Sequence, residues 1–489
     1  MVDLHEGTVL HEGTAQHEGT AQHEGTAQHE GTAQHADIAQ HYDLIIVGAG
    51  SGNMLVSDDF AHWRIAVVEA DRFGGTCLNR GCIPSKMLVH TADVAQTVRR
   101  AGRFGIGATW IGADWPAIRD RVFGRIDPLH DAAIAYRRAN GVDVFLGEAR
   151  FVAPKTLRVG DDVLSADRFV LAAGSRPHIP AISGLGEVDY LTSDTVMRID
   201  ALPESMVIVG GGFIAAEMGH IFGALGVAVT IVERGPALLS RHDHDISAAF
   251  TDAYRARFDL RLDSTVESVA PCRSGLRFEL AGPNGHDTLE AATLLVATGR
   301  VPNSDRLDVA AAGIATDEHG HVRTDTAYQT NVEGIFALGD LANHFQLKHM
   351  ANAEARLVRH NLLHPADQRR SPFSVVPAAV FADPQVASVG ATERELRDAG
   401  RPYMAATRHY SDTAYGWALG DTTGFVKVLA DPETRLLLGA HILGPQASTL
   451  VQPLIQAMCL GNTADEVATA VLYIHPALSE AVEQALLAL

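Results

Sequence analysis

The chain has 489 residues, 46% of them hydrophobic and 20% charged, and a formal charge of −20. A length beyond about 250 to 300 residues argues for several domains, and the composition is that of a globular protein with large cores. The acidity and the lack of a Lys/Arg block argue against nucleic-acid binding, and no apolar run of about 18 residues predicts a membrane span. No basic-then-apolar leader opens the chain, so a cytoplasmic location is expected.

Residues 5 to 34 repeat a hexapeptide, HEGTVL once and then HEGTAQ four times, and a degenerate copy, HADIAQ, runs into His41. That period is too short for a solenoid unit and carries no apolar stripe, so residues 1–41 are expected to be a disordered tail. Histidines at six-residue spacing can bind a transition metal weakly. A duplicated coding unit or an upstream start is the simpler reading.

Asp43–Val47 then reads as an apolar strand leading into the glycine turn Gly48, Gly50, Ser51, Gly52 and a following helix. Such a turn lets the backbone approach a pyrophosphate at a helix N-terminus. Asn53 fills the third position of the fingerprint instead of glycine. Glu69, 21 residues after Gly48 at the end of the second strand, is placed to accept hydrogen bonds from a ribose.

Next comes GGTCLNRGCIPSK, residues 74–86, with Cys77 and Cys82 separated by four residues. On an ideal helix these positions point about 140° apart, so a bridge needs a distorted segment, for which Gly81 and Pro84 are suited. Four cysteines are too few for a secreted scaffold, so a disulfide here is expected to be catalytic. Zinc would want four ligands, and no second Cys or His pair is near, so no metal site is expected. Two structural thiols are the competing reading.

A second strand and glycine turn follow: Met206–Val209, then Gly210, Gly212, Phe213, Ile214 and Ala215, with Ala215 in the third fingerprint position. At the end of the next strand Glu233 favours the 2′-hydroxyl of NAD, whereas Arg234 and Arg241 favour the 2′-phosphate of NADP. Two arginines against one glutamate tilt the expectation to NADPH.

The cysteine segment resembles the redox-disulfide signature of the glutathione reductase and lipoamide dehydrogenase family, and the resemblance covers residues 42–489. In the family's order follow Ala173-Gly174-Ser175-Arg176-Pro177, Ala297-Thr298-Gly299-Arg300-Val301-Pro302-Asn303, Ile335-Phe336-Ala337-Leu338-Gly339-Asp340 and His475-Pro476-Ala477-Leu478-Ser479-Glu480. Asn53, Ala477, Leu347-Lys348-His349, Ala351-Asn352, Tyr415-Gly416-Trp417 and Gly444-Pro445-Gln446 match the branch that reduces mycothione, the disulfide of a small thiol.

The resemblance implies an α/β fold of two Rossmann-like dinucleotide domains, for FAD and NADPH, with a C-terminal α+β dimerisation domain. The expected boundaries are 42–174 and 303–371 for the FAD domain, 175–302 for the NAD(P)H domain and 372–489 for the dimer interface. FAD is then expected at the first glycine turn and Glu69, at Gly75, Thr76, Lys86 and Ala149, and at Ala173, Gly174 and Arg300. Gly339, Asp340, Leu347, Lys348 and Ala351 complete its expected site. The second turn, Glu217, Glu233, Arg234, Arg241 and Gly299 are assigned to NADPH. By the same resemblance Cys82 faces the flavin, Cys77 attacks a small disulfide, and Lys86 and Glu217 form an ion pair. His475, oriented by Glu480, is expected to come from the partner of a homodimer. Dihydrolipoamide dehydrogenase, using NAD, shares every redox residue and is the nearest rival. A silent flavin- or metal-binding protein is the rival from another class.

Overall fold

The computed structural model describes residues 39–373 and 375–489, so the repeat and its histidines up to His35 lie outside the described residues. Gln40–Val47 forms the centre of the first sheet. It pairs in parallel with Ile65–Glu69 on one side and Asp162–Leu171 on the other, and Asp143–Leu146 and Ile335–Ala337 extend the two flanks. Leu44, Ile45, Ile46 and Val67 are all fully buried, as expected of parallel strands covered on both faces. This strand starts at Gln40, inside the expected tail, because Gln40 and His41 pair with Leu164 and Ser165.

One local expectation fails. The first glycine turn leads into a single 3-10 turn, Gly52–Met54, and a second, Asp58–Phe60, instead of a full helix. Ser57 is extended between them, at φ −143°, and the polar Ser57-Asp58-Asp59 run favours turn over helix.

The second parallel sheet has the order Asp259–Arg261, Ala228–Val232, Ser205–Val209, Thr293–Val296 and Leu191–Thr192. Helix Phe213–Ala224 follows its central strand. Ser175–Pro177 and Arg300–Pro302 pair as an antiparallel ribbon, so the chain enters and leaves this unit side by side. The last unit is a five-stranded antiparallel sheet, with Phe425–Ala430 and Leu437–Leu443 buried along their whole length under the C-terminal helices. The fold is therefore two Rossmann-like units and a C-terminal α+β unit.

A charge buried between the second and third units joins them. Lys427, its side chain 2% exposed, holds Asp243, Asp245 and Glu393 at 2.7, 2.7 and 2.6 Å. Lys427→Met would leave carboxylates facing one another without their cation, so it is expected to cost about 3–5 kcal/mol of stability. Urea unfolding of the variant beside the parent checks this; a loss within error would show that water replaces the ammonium.

Candidate active site

The two cysteines meet because the helix breaks between them. Gly75–Asn79 and Cys82–Arg100 are separate helices, interrupted at Arg80 and Gly81. A side chain at Gly81 would lie 2.9 Å from the Thr76 carbonyl oxygen and 3.2 Å from Cys77 Cα, so glycine lets the chain fold back this tightly. Asn79 pins the short helix, its amide donating to the carbonyls of Arg72, Phe73 and Gly75 at 3.2, 3.0 and 3.0 Å. Arg80, at the break, pairs with Asp71 and with Asp194.

The folded-back geometry brings the Cys77 and Cys82 thiols into a hydrogen bond. That bond lowers Cys77 to about 7 against the opposing effect of burial, with the charges of Lys348 and Lys86 assisting. The same bond and burial push Cys82 up. The pair thus favours one thiolate shared by two sulfurs over two thiolates side by side. Thiolates, not thiols, perform disulfide exchange.

One turn beyond Cys82, Lys86 Nζ lies 2.7 and 2.6 Å from the two carboxylate oxygens of Glu217. The redox helix and the helix of the second glycine turn are therefore joined by the expected ion pair. Phe381, from the third unit, completes it: its N–H donates to Glu217 Oε1 at 3.1 Å and its ring lies 4.7 Å from the ammonium.

Both cysteines and this ion pair line a cavity of about 1780 Å³, above the roughly 300–1,000 Å³ of an ordinary ligand pocket. Gly48, Gly50, Ser51, Glu69, Gly75, Thr76, Ala149, Ala173, Gly174 and Arg300 also line it, as do Gly339, Asp340, Leu347, Lys348 and Ala351. Within it Ser175 Oγ donates to Asp340 at 2.7 Å, and Arg300 Nε donates to the same Ser175 oxygen at 2.8 Å. Lys348 Nζ donates to Ser51 Oγ at 2.9 Å, and Ser51 to Asn352 at 3.1 Å. Where a Cβ would stand at Gly174, nothing lies within 4 Å. A wall of glycine turns, backbone and fixed polar groups with room before it fits the expected FAD.

Other residues take supporting places. Gly52 stands outside the lining and packs on Ile46 and Ala172, where a Cβ would come within 2.9 and 2.8 Å. Asn53 is held by Arg137, whose Nε donates to its side-chain oxygen at 2.7 Å. Glu69 accepts the Ala49 N–H at 2.7 Å, and burial pushes its carboxyl up. Sequence reasoning missed Glu354, which accepts the Gly339 N–H at 2.6 Å beside Asp340. Burial raises it to about 7. The available signal was an acid on the buried face of helix Lys348–Leu363, between Ala351 and Leu357.

Phe213, Ile214, Glu217 and Arg241 line the same cavity, whereas Gly210, Gly212, Ala215, Glu233, Arg234 and Gly299 do not. Of these, Gly210 and Glu233 gather at the carboxyl ends of the second sheet. A Cβ on Gly210 would meet the Ala297 carbonyl oxygen at 2.4 Å, and the Glu233 carboxylate lies against Gly211 and accepts the Gly235 N–H at 2.8 Å. Ligands of open α/β sheets bind at that end, and nothing stands within 4 Å of a Cβ position on Gly212 or Gly299. The open backbone at Gly212 and Gly299 leaves the room that the expected second dinucleotide needs.

His475 and Glu480 are outside the cavity lining. His475 Nδ1 is 2.8 Å from Glu480 Oε1, and its side chain is 72% exposed. The bond holds the Glu480 carboxyl below its usual range. Beside them Leu472 and Ile474 are 98% and 75% exposed.

Residues 42–355 match the family described as pyridine nucleotide-disulphide oxidoreductase, and residues 376–486 its dimerisation domain. A mycothione reductase of Mycobacterium tuberculosis is 47% identical over 91% of this chain and 99% of its own. A dihydrolipoyl dehydrogenase of Halobacterium salinarum is 34% identical over 90% and 94%. Among solved structures, the HOCl-induced flavoprotein disulfide reductase RclA of Escherichia coli superposes with a TM-score of 0.80 at 26% identity, covering 91% of this chain and 99% of that one.

Proposed function

Because the chain belongs to the pyridine nucleotide-disulphide oxidoreductases, enzymes that work with FAD and NAD(P)H, we propose that it reduces mycothione with NADPH. What carries this reading is the reactive pair: Cys77 and Cys82 folded together on the wall of a cavity that also reaches Glu217 of the second glycine turn. The choice of mycothione rests on the 47% identical relative. Bound FAD would supply the two-electron relay from nicotinamide to the cysteine pair. Asp340, Ser175 and Arg300 would hold it on one side, and Lys348 and Ser51 on the other.

The protein's own residues then act in order. The Cys77 thiolate attacks one substrate sulfur, forming a mixed disulfide and releasing one thiolate, which His475 protonates. Cys82 attacks Cys77, the second thiol leaves, and the Cys77–Cys82 disulfide closes. Glu480 fixes the His475 tautomer. The exposure of His475 and of the apolar Leu472 and Ile474 supports a homodimer in which each subunit lends His475 to its partner.

Turnover with excess NADPH is expected to rise with pH through about 7, the value to which its hydrogen bond brings Cys77. Because the thiol is the form held below that value, activity is lost as pH falls through it, and a profile flat from pH 5.5 to 8.5 would remove the thiolate step from the rate.

Dihydrolipoamide dehydrogenase is the second reading, favoured by the Glu233 carboxylate lying against Gly211, where it would accept the ribose hydroxyls of NAD. Arg234 and Arg241 favour NADPH. A panel of NADPH and NADH, each with mycothione, glutathione disulfide and lipoamide, separates the two. NADPH with mycothione is expected to give the highest kcat/KM; NADH with lipoamide leading would establish the rival.

A further inference from the structure

Behind the Lys86–Glu217 pair a second link joins the same two helices. Asp93 stands seven residues beyond Lys86, His220 three beyond Glu217, and His220 Nε2 is 2.9 Å from Asp93 Oδ1. His220 is fully buried. Its Nδ1 lies 3.2 Å from Arg257 Nη2. A guanidinium donates and cannot accept, so Nδ1 is the acceptor, the proton is on Nε2, and the ring donates to Asp93 as a neutral imidazole.

Arg257 continues the chain of contacts into the third unit. Its Nη1 donates to the Asp383 carbonyl oxygen at 2.6 Å, and the Asp383 carboxylate in turn meets Arg100 Nη2, at the end of the redox helix, at 2.7 Å. Two residues before Asp383 is Phe381, whose N–H binds Glu217. The contacts therefore close a ring: Lys86, Glu217, residues 381–383, Arg257, His220, Asp93, and back along the redox helix to Lys86.

We propose that His220 is a positioning residue for the Lys86–Glu217 pair, an inference that rests on reading that pair as part of the redox site. A lysine head on a four-carbon stem takes its place from its anion, and Glu217 is itself fixed only as well as its helix is fixed against the redox helix. Lys86 and Glu217 set the spacing at one turn. Asp93 and His220 set it again farther along, so the helices can neither slide nor roll without breaking one of these two part-buried links. Arg257 keeps the imidazole from turning over. Outer partners that orient metal ligands usually change affinity or activity roughly 10- to 100-fold when removed, and a comparable effect is expected of a link that fixes this ion pair.

The test compares His220→Leu with His220→Gln, which retains one donor and one acceptor, in the FAD-loaded dimer. Three quantities are read: the flavin midpoint potential by dithionite titration against a reference dye, the rate of flavin reduction by NADPH, and thiol release by enzyme reduced beforehand. In the leucine variant the potential is expected to fall and flavin reduction to slow by roughly 10- to 100-fold, with thiol release changed by less than about twofold and glutamine restoring most of the loss. An unchanged potential and reduction rate would overturn the proposal, as would both half-reactions slowing alike with no rescue by glutamine. Should the leucine variant not hold FAD, Asp93→Ala removes the same link from a half-exposed position and is read by the same criteria. If the parent enzyme is not reduced by NADPH, the functional reading fails, and the dithionite potentials still decide the role of His220.

Discussion

Cys77→Ser is expected to abolish mycothione reduction while NADPH still bleaches the flavin. A serine hydroxyl in place of the thiol has no accessible anion near neutrality, and the lowered Cys77 value depends on a hydrogen bond that a thiolate accepts. Loss of a nucleophile costs roughly 10⁴-fold or more, which puts turnover below detection. The flavin should remain reducible because the proposed relay runs from nicotinamide to FAD before it reaches the cysteine pair. Stopped-flow absorbance under anaerobic conditions, followed by a thiol assay after adding mycothione, reads both halves on one sample. Turnover retained by the serine variant would remove Cys77 from the reaction.

His475→Ala is expected to slow turnover by roughly 10²- to 10⁴-fold, the usual worth of a positioned acid–base group. The leaving thiolate would then take its proton from water, and the loss should be smallest for disulfides of acidic thiols. The structure adds a sharper consequence. His475 is 72% exposed and stands apart from the cavity that holds the cysteines, so its proposed place is in the partner's site. Mixing the inactive His475→Ala and Cys77→Ser subunits should therefore restore activity, to about a quarter of the parent value if pairing is random, because each mixed dimer regains one intact site. No recovery on mixing would place the histidine in its own subunit's site.

The parts of the site that were legible in the sequence are those built by consecutive residues. Strand, glycine turn and helix are local patterns, and the cysteine spacing together with Gly81 and Pro84 announced the break that the structure places at Arg80 and Gly81. The helix expected after the first glycine turn did not form, because the polar run at Ser57 outweighed the motif's usual continuation. Contacts between distant segments left little trace. Glu354 and His220 are polar residues among mostly apolar neighbours on the buried sides of their helices, and their partners, Gly339, Asp93 and Arg257, lie on other elements. Lys427 sits in a strand that reads as apolar, and its three carboxylates come from two other segments. Such groups are chosen by the need to pair every buried charge, a need that is visible only once the units are packed.

The passage of electrons through the cysteine pair can be read directly on the FAD-loaded protein. One equivalent of NADPH is added without oxygen, free thiols are alkylated, and the peptide bearing Cys77 is quantified before NADPH, after it, and after mycothione. Cys77 is expected to be unlabelled at first, labelled after NADPH, and protected again once mycothione has been added, with two thiols released per NADPH. Labelling of Cys77 that does not respond to NADPH, or that survives mycothione while NADPH is consumed, would contradict the assignment.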